Sequence, residues 1–205
     1  MQFLRTANAG GLITLDGVRV LMDGVCGFVA PYLQTPAELR EYLQEKVPDA
    51  VGFTHLHPDH FHLEYQTFCT QTGAVVLMPG DKQVQVGPIS ITPINTRHLG
   101  KVEEGLIHNS YLISGSKQIL FVGDASPLTL QTISNVDILI APYAYVTTAA
   151  GIKAVAATGA KQLILVHLPG VDPDPYGIWD SVREGTKGLH TFEVIIPKMG
   201  QEINL

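Results

Sequence analysis

The sequence predicts an α/β protein whose strands form sheet layers with helices outside them. Three observations predict it. Strand signals open the chain as a meander. Beyond residue 50, strand-like and helix-like segments alternate. The 205 residues are 45% hydrophobic and 16% charged, enough for one buried core and a single domain over residues 1–205.

In order along the chain, "GLITLDGVRVLMDGV" reads as two strands joined at Asp16-Gly17, a strong hairpin turn. "TPAELREYLQEK" carries helix-start chemistry, with Thr35 as N-cap, Pro36 at the first helical position and Glu38 three residues after the cap. "AVGFTH" is a short strand, "DHFHLEYQTFCTQTG" a helix closed by Gly73, and "AVVLMPG" a strand. "KQVQVGPISITPINTRH" alternates like a strand pair, and "NSYLISGSKQILFVGD" like a hairpin turning at Gly115-Ser116. "SPLTLQTIS" starts a short helix, "VDILIAP" a strand, and "TTAAGIKAVAATGA" an alanine-rich helix. "KQLILVH" is a strand, the Asp180 region is helical, and "HTFEVIIP" and "QEINL" finish as strands. No repeat or linker interrupts this order, and "LPGVDPDPYG" is too short to separate two cores.

The net charge of −6 and only 13 Lys and Arg argue against a nucleic-acid partner. Cys26 and Cys69 lack CxxC spacing and are expected to be reduced and buried. No basic and apolar leader opens the sequence, and no stretch approaches the ~20 apolar residues of a membrane helix. The expectation is a cytoplasmic protein acting on a small molecule, off the membrane. Oligomeric state stays open, a homo-oligomer included.

The informative stretch is "THLHPDHFH". It holds four of the chain's eight histidines, His55, His57, His60 and His62. Even spacing would give about 0.3 in such a window. Two residues apart in extended chain, His55 and His57 point to one side. Pro58 favours extension before it and suits the first turn of a helix after it, so Asp59 and His60 approach from another angle. That arrangement suits two adjacent metal positions. Elsewhere, apolar strands run into His98, Asp124 and His167. Singly each would pass as an ordinary polar residue; their recurrence at strand ends, where rigid sheets present functional groups, reverses that reading. Imidazole and carboxylate donors suit zinc best, with manganese or iron as alternatives.

The run His-x-His-x-Asp-His, followed by "TRH", "FVGDAS" and "ILVHLPG", resembles the metallo-β-lactamase superfamily over essentially the whole chain. The resemblance implies a four-layer αββα sandwich with a dinuclear site at one edge. It implies His55, His57 and His98 around one ion, Asp59, His60 and His167 around the other, and Asp124 bridging both. Two such ions would share a water, lower its pKa and make hydroxide available to attack an ester-like centre. Asp59 would orient that water or pass a proton to the leaving group. Small lactones, esters or phosphodiesters are the expected substrates. Two readings compete: a mononuclear iron persulfide dioxygenase of the same fold, and a non-catalytic metal-binding or sensory domain. The full ligand set weighs against both.

Other residues invite attention. Asp23 closes the hairpin and could orient a ligand histidine. His62 is expected on the helix surface or behind the ligands. His108 rivals His98 for the third motif. Arg97 and Lys101 flank His98 and could attract an anion, and Tyr143 and Tyr145 could line the pocket mouth.

Overall fold

The computed structural model describes residues 1–100, 104–130, 132–170 and 174–205. Two sheets stack face to face. The first contains β1 (Gln2–Arg5), β2 (Gly11–Leu15), β3 (Val18–Met22), β4 (Ala50–Gly52), β5 (Val75–Leu77) and β13 (Glu202–Asn204), in the order β13-β1-β2-β3-β4-β5. The second contains β6 (Val84–Val86), β7 (Ile89–Asn95), β8 (Asn109–Ser114), β9 (Gln118–Phe121), β10 (Ile138–Pro142), β11 (Gln162–Val166) and β12 (Glu193–Ile195), running from β12 to β6 in reverse chain order. Helices α1 (Ala37–Glu45) and α2 (Leu63–Thr72) precede β5, and α3 (Ala144–Thr147), α4 (Ala149–Thr158) and α5 (Ile178–Thr186) follow β10.

Side-chain alternation assigns the layers, because successive strand residues face opposite sides of a sheet. Val18, Val20 and Met22 of β3 enter the core between the sheets together with Ile119 and Phe121 of β9. Leu21 points the other way, with Val51, onto Leu43 of α1 and onto Tyr65 and Cys69 of α2. On the far side, Leu120, Leu163 and Leu165 meet Val155 of α4 and Val182 of α5. The result is the expected four-layer αββα sandwich.

Several elements depart from the sequence reading. β1 carries no turn or alternation signal of its own; it is held by partners on both sides, with Gln2 opposite Thr14 and also opposite Asn204. Thr35 does not cap α1: its hydroxyl accepts the Cys26 N–H at 3.0 Å, and the helix starts after Pro36 without a side-chain cap. The second helix begins at Leu63, not near Pro58. The His57 carbonyl takes the N–H groups of both His60 and Phe61, and the Pro58 carbonyl accepts from Gly27. That carbonyl is occupied by a distant loop, so Pro58 to His60 form a turn. "SPLTL" makes a single 3-10 turn, Pro127–Leu130.

The two sheets share one functional edge. β3 and β4 run parallel, as do β9, β10 and β11. Asp23 and the 54–60 loop leave the C-terminal ends of the first group; Asp124, Tyr143 and His167 leave those of the second. Tight contact brings the two edges together. The Asn109 N–H donates to the Thr54 carbonyl at 2.9 Å. Gly123 has φ +55, and a Cβ there would lie 2.5 Å from Thr54 Oγ1.

Candidate metal centre

Three groups of ligand-type side chains converge at this edge: His55, His57 and His98; His55, His60 and Asp124; and Asp59, His60 and His167. In each group the donor atoms lie within 4.8 Å of one another. Asp124 sits between the first and third groups. Its Oδ2 is 3.5 Å from His60 Nε2, 3.7 Å from His98 Nε2 and 3.4 Å from His167 Nε2. Asp59 Oδ2 lies 3.3 Å from His167 Nε2.

Three of the histidines are oriented from behind. Asp23, wholly buried, accepts the Thr54 N–H at 2.8 Å on Oδ1. Its Oδ2 accepts the Thr54 hydroxyl at 2.6 Å and pairs with His60 Nδ1 at 2.8 Å. Thr54 Oγ1, its proton committed to Asp23, then accepts from His55 Nδ1 at 3.0 Å. His98 Nδ1 donates to the Leu99 carbonyl at 2.6 Å. These bonds engage Nδ1 of each ring and turn Nε2 of His55, His60 and His98 towards the centre, where His55 Nε2 lies 2.9 Å from His57 Nδ1.

Two segments lock His98 beside Asp124. Leu99 donates its N–H to the Asp124 carbonyl, and Ser126 donates to the Arg97 carbonyl, both at 2.7 Å. His167 is placed by strain. Its φ is 57°, a conformation that costs about 1–2 kcal/mol for a residue with a Cβ. Its N–H is held by the Asn8 carbonyl at 2.8 Å. The Tyr32 ring stands edge-on to His167, with centroids 4.2 Å apart.

The electrostatics suit a cation. Burial opposes charge on His60, yet Asp124 and Asp23 outweigh it and hold His60 well above the usual histidine range. Burial likewise opposes charge on Asp124, but His167 and His60 pull it well below the carboxylate range. His55 is driven far down, first by burial and then by His60, and is neutral. The negative charge that favours a proton on His60 favours a divalent ion equally. His60 Nε2, His98 Nε2, His167 Nε2 and Asp124 Oδ1 are all buried without a hydrogen-bond partner. Buried polar atoms are almost always paired. These four orphans, spread over the three convergent groups, fit bound metal.

His108 has a different role from its rival His98. Its Nε2 accepts the Asp124 N–H at 3.1 Å, and its Nδ1 donates to Thr96 Oγ1 at 2.8 Å. Both ring nitrogens are engaged, and burial lowers its pKa to about 3. It buttresses the Asp124 backbone as a neutral ring.

Other candidates stand outside the cluster. His62 caps α2, accepting from the Tyr65 N–H at 3.4 Å, and faces Arg40 and Glu41 of α1. The Arg97 side chain is exposed. Lys101 lies outside the described residues. Tyr143 does line a cavity with Tyr32. Tyr145 does not: it is fully buried, donating to the Ala125 carbonyl at 2.9 Å. Thr54, Tyr32 and Gly123 escaped the sequence reading. Adjacency to His55 and Asp124 was the available signal for Thr54 and Gly123, whereas Tyr32 offered none.

The pattern of the family described as "Beta-lactamase superfamily domain" matches residues 7–167. The chain belongs to the metallo-β-lactamase superfamily. Among solved members of this fold, it resembles a Veillonella parvula protein described as a "possible metal-dependent hydrolase". That match has a TM-score of 0.71 and 18% identity, over 100% of this chain and 99% of that one. An isothiocyanate hydrolase from Delia radicum gut bacteria gives 0.69 and 15%, over 100% and 99%. CmlA, a diiron β-hydroxylase from Streptomyces venezuelae, gives 0.67 and 14%, over 100% of this chain and 54% of that one. No curated protein matches in sequence. At these identities the likeness concerns the fold, which in this superfamily carries more than one kind of reaction.

Proposed function

We propose that the chain is a hydrolase that uses two divalent ions, most simply zinc, to cleave a small ester-type substrate such as a lactone or phosphodiester. The observation that carries this reading is the set of orphaned buried donors on His60, His98, His167 and Asp124. In it, His55, His57 and His98 would hold one ion and Asp59, His60 and His167 the other, with Asp124 available to both. When bound, two such ions supply activated water near neutral pH and polarise an acyl or phosphoryl oxygen.

The protein's own groups do the rest. Asp23 and Thr54 keep His60 and His55 in the ligating tautomers. His108 holds the Asp124 backbone, so that its carboxylate would keep its place beside the reacting group. Asp59, 8% exposed, stands where it can orient water or carry a proton to the leaving group. Neighbours described as a possible metal-dependent hydrolase and as an isothiocyanate hydrolase support the reading at the level of reaction class. Among the described residues no helix is long and apolar enough to cross a membrane. Cys26 and Cys69 are free and buried, which suits a reducing compartment, and we assign the protein to the cytoplasm.

The test is elemental analysis of tag-free protein, wild type and Asp124→Ala, with a screen of lactones, aryl esters and phosphodiesters. Two zinc or manganese ions per chain, lost in the variant together with hydrolysis, are expected. One iron per chain points instead to the dioxygenase reading, two irons without hydrolysis to an oxidative enzyme, and no metal after reconstitution removes the mechanism.

A further inference from the structure

A cleft of about 560 Å3 opens beside His167. Its walls are Tyr32, Tyr143 and Tyr176, with Pro31 and Ile178; Thr147 and Ser181 are its other polar lining. Among the described residues no charged side chain lines it. A second cavity of about 270 Å3 shares Pro31 and Tyr176 with it and adds Phe28 and Leu33. Phe28, Leu33 and Tyr176 are 62%, 51% and 72% exposed. Single exposed apolar side chains are ordinary, but three around one opening mark a binding surface.

Tyr32 connects this cleft to the chemistry, since its other flank is the ring contact with His167. A group seated against Tyr32 and Tyr143 is therefore one side chain away from a proposed metal ligand. Phenol walls favour flat, uncharged rings, which gain from edge and offset-stacked contacts beyond simple burial. Among the described residues the cleft itself offers an anionic group no cationic side chain. The cavity on the other side, beside Leu56, Met78 and Ile107, is smaller, about 190 Å3.

We infer that the Tyr32–Tyr143–Tyr176 cleft takes an uncharged aromatic ring of the substrate, making the preferred substrate an aryl or arylalkyl ester or lactone. The inference rests on the metal-hydrolase reading. Hydrolysis then adds water across the acyl C–O bond, giving a carboxylic acid and an alcohol, with the ring retained on one of them.

The test separates the cleft from the chemistry by using acetophenone, a neutral aromatic ketone with no bond to hydrolyse, and acetone as its ring-free counterpart. Both are titrated by ligand-observed NMR into full-length, metal-loaded wild type, Tyr176→Ala and Ile107→Ala. The exposed Tyr176 can be removed without disturbing the core. Acetophenone is expected to bind more tightly than acetone, to weaken about fivefold in Tyr176→Ala and to be unchanged in Ile107→Ala. Equal binding of the two ketones, no change in Tyr176→Ala, or weakening in Ile107→Ala instead would overturn the inference. Phenyl acetate hydrolysis and metal content are read on the same samples. Aromatic binding through Tyr176 in a metal-loaded protein that cleaves no ester overturns the hydrolase reading and the ester assignment with it, while the aromatic site stands.

Discussion

Replacing Asp23 by asparagine tests the central structural claim, that one carboxylate behind the metal centre sets the state of two histidines in front of it. Asp23 accepts three hydrogen bonds, from the Thr54 N–H, the Thr54 hydroxyl and His60 Nδ1. Asparagine keeps the shape but turns one acceptor oxygen into a donor. With the amide nitrogen towards His60, Nδ1 must become the acceptor and the ring proton moves to Nε2, where it blocks the ligand lone pair. With the amide flipped, two donors collide at the Thr54 N–H. Either way a fully buried network loses a partner, at about 1–3 kcal/mol for each group left unsatisfied. Changes to such supporting partners lower metal affinity about 10–100-fold, or about 1.4–2.8 kcal/mol. The assay is zinc competition against a chromogenic chelator, with elemental analysis of the dialysed protein. On the proposed two-ion reading, Asp23→Asn is expected to lose first the ion assigned to Asp59, His60 and His167, falling from two towards one per chain. Zinc affinity and stoichiometry matching wild type within twofold would refute the argument.

Four other substitutions and changes in metal supply give sharp expectations. Gly123→Ala places a Cβ 2.5 Å from Thr54 Oγ1 at φ +55, so thermal unfolding should show a loss well above the roughly 1–2 kcal/mol of a positive φ alone; Gly17→Ala, at φ +82 in open space, is the strain-only comparison. Chelation should lower the melting temperature, and excess zinc should raise it by mass action, about 2.7 kcal/mol at a hundred times Kd. For acid, the sign follows from His108. Burial holds its folded pKa near 3 while an unfolded histidine titrates near ~6.5. The unfolded chain therefore takes up the proton first, and the stability linked to neutral His108 is complete above about pH 6.5 and lost as pH falls towards 3. Urea unfolding of metal-free His108→Asn should show a flatter pH dependence than wild type. Thr35→Ala should speed hydrogen exchange at Cys26, whose N–H it releases, and leave helical circular dichroism unchanged.

Much of the frame is local chemistry and was legible in the sequence. The Asp16-Gly17 turn sits where two alternating strands demand it, and Gly73 ends α2 in the left-handed conformation that glycine adopts readily. The strand periods alone sort residues such as Leu21 and Val20 onto opposite faces. The histidine-rich loop announced its chemistry through composition, and the strand-end positions of His98, Asp124 and His167 announced theirs through repetition.

Other features were decided by residues far apart in the chain. Thr35 has the side chain of an N-cap, but Cys26 offers it a buried donor in place of the helix. Pro58 could begin a helix, but its carbonyl is taken by Gly27. His98 and His108 carry identical side chains near one strand pair, and the sequence favours His98 only because it closes an alternating strand and matches the family motif. The fold does so by aiming the Asp124 N–H at His108 and leaving His98 Nε2 open. Tyr32 has no motif at all and gains its place only because the loop after β3 folds back onto His167. Periodicity and turn chemistry are short-range, so the sequence by itself determined most strands, most helices and the candidate ligands. Convergence and the direction of each lone pair depend on contacts between the two sheets, which only the tertiary structure supplies.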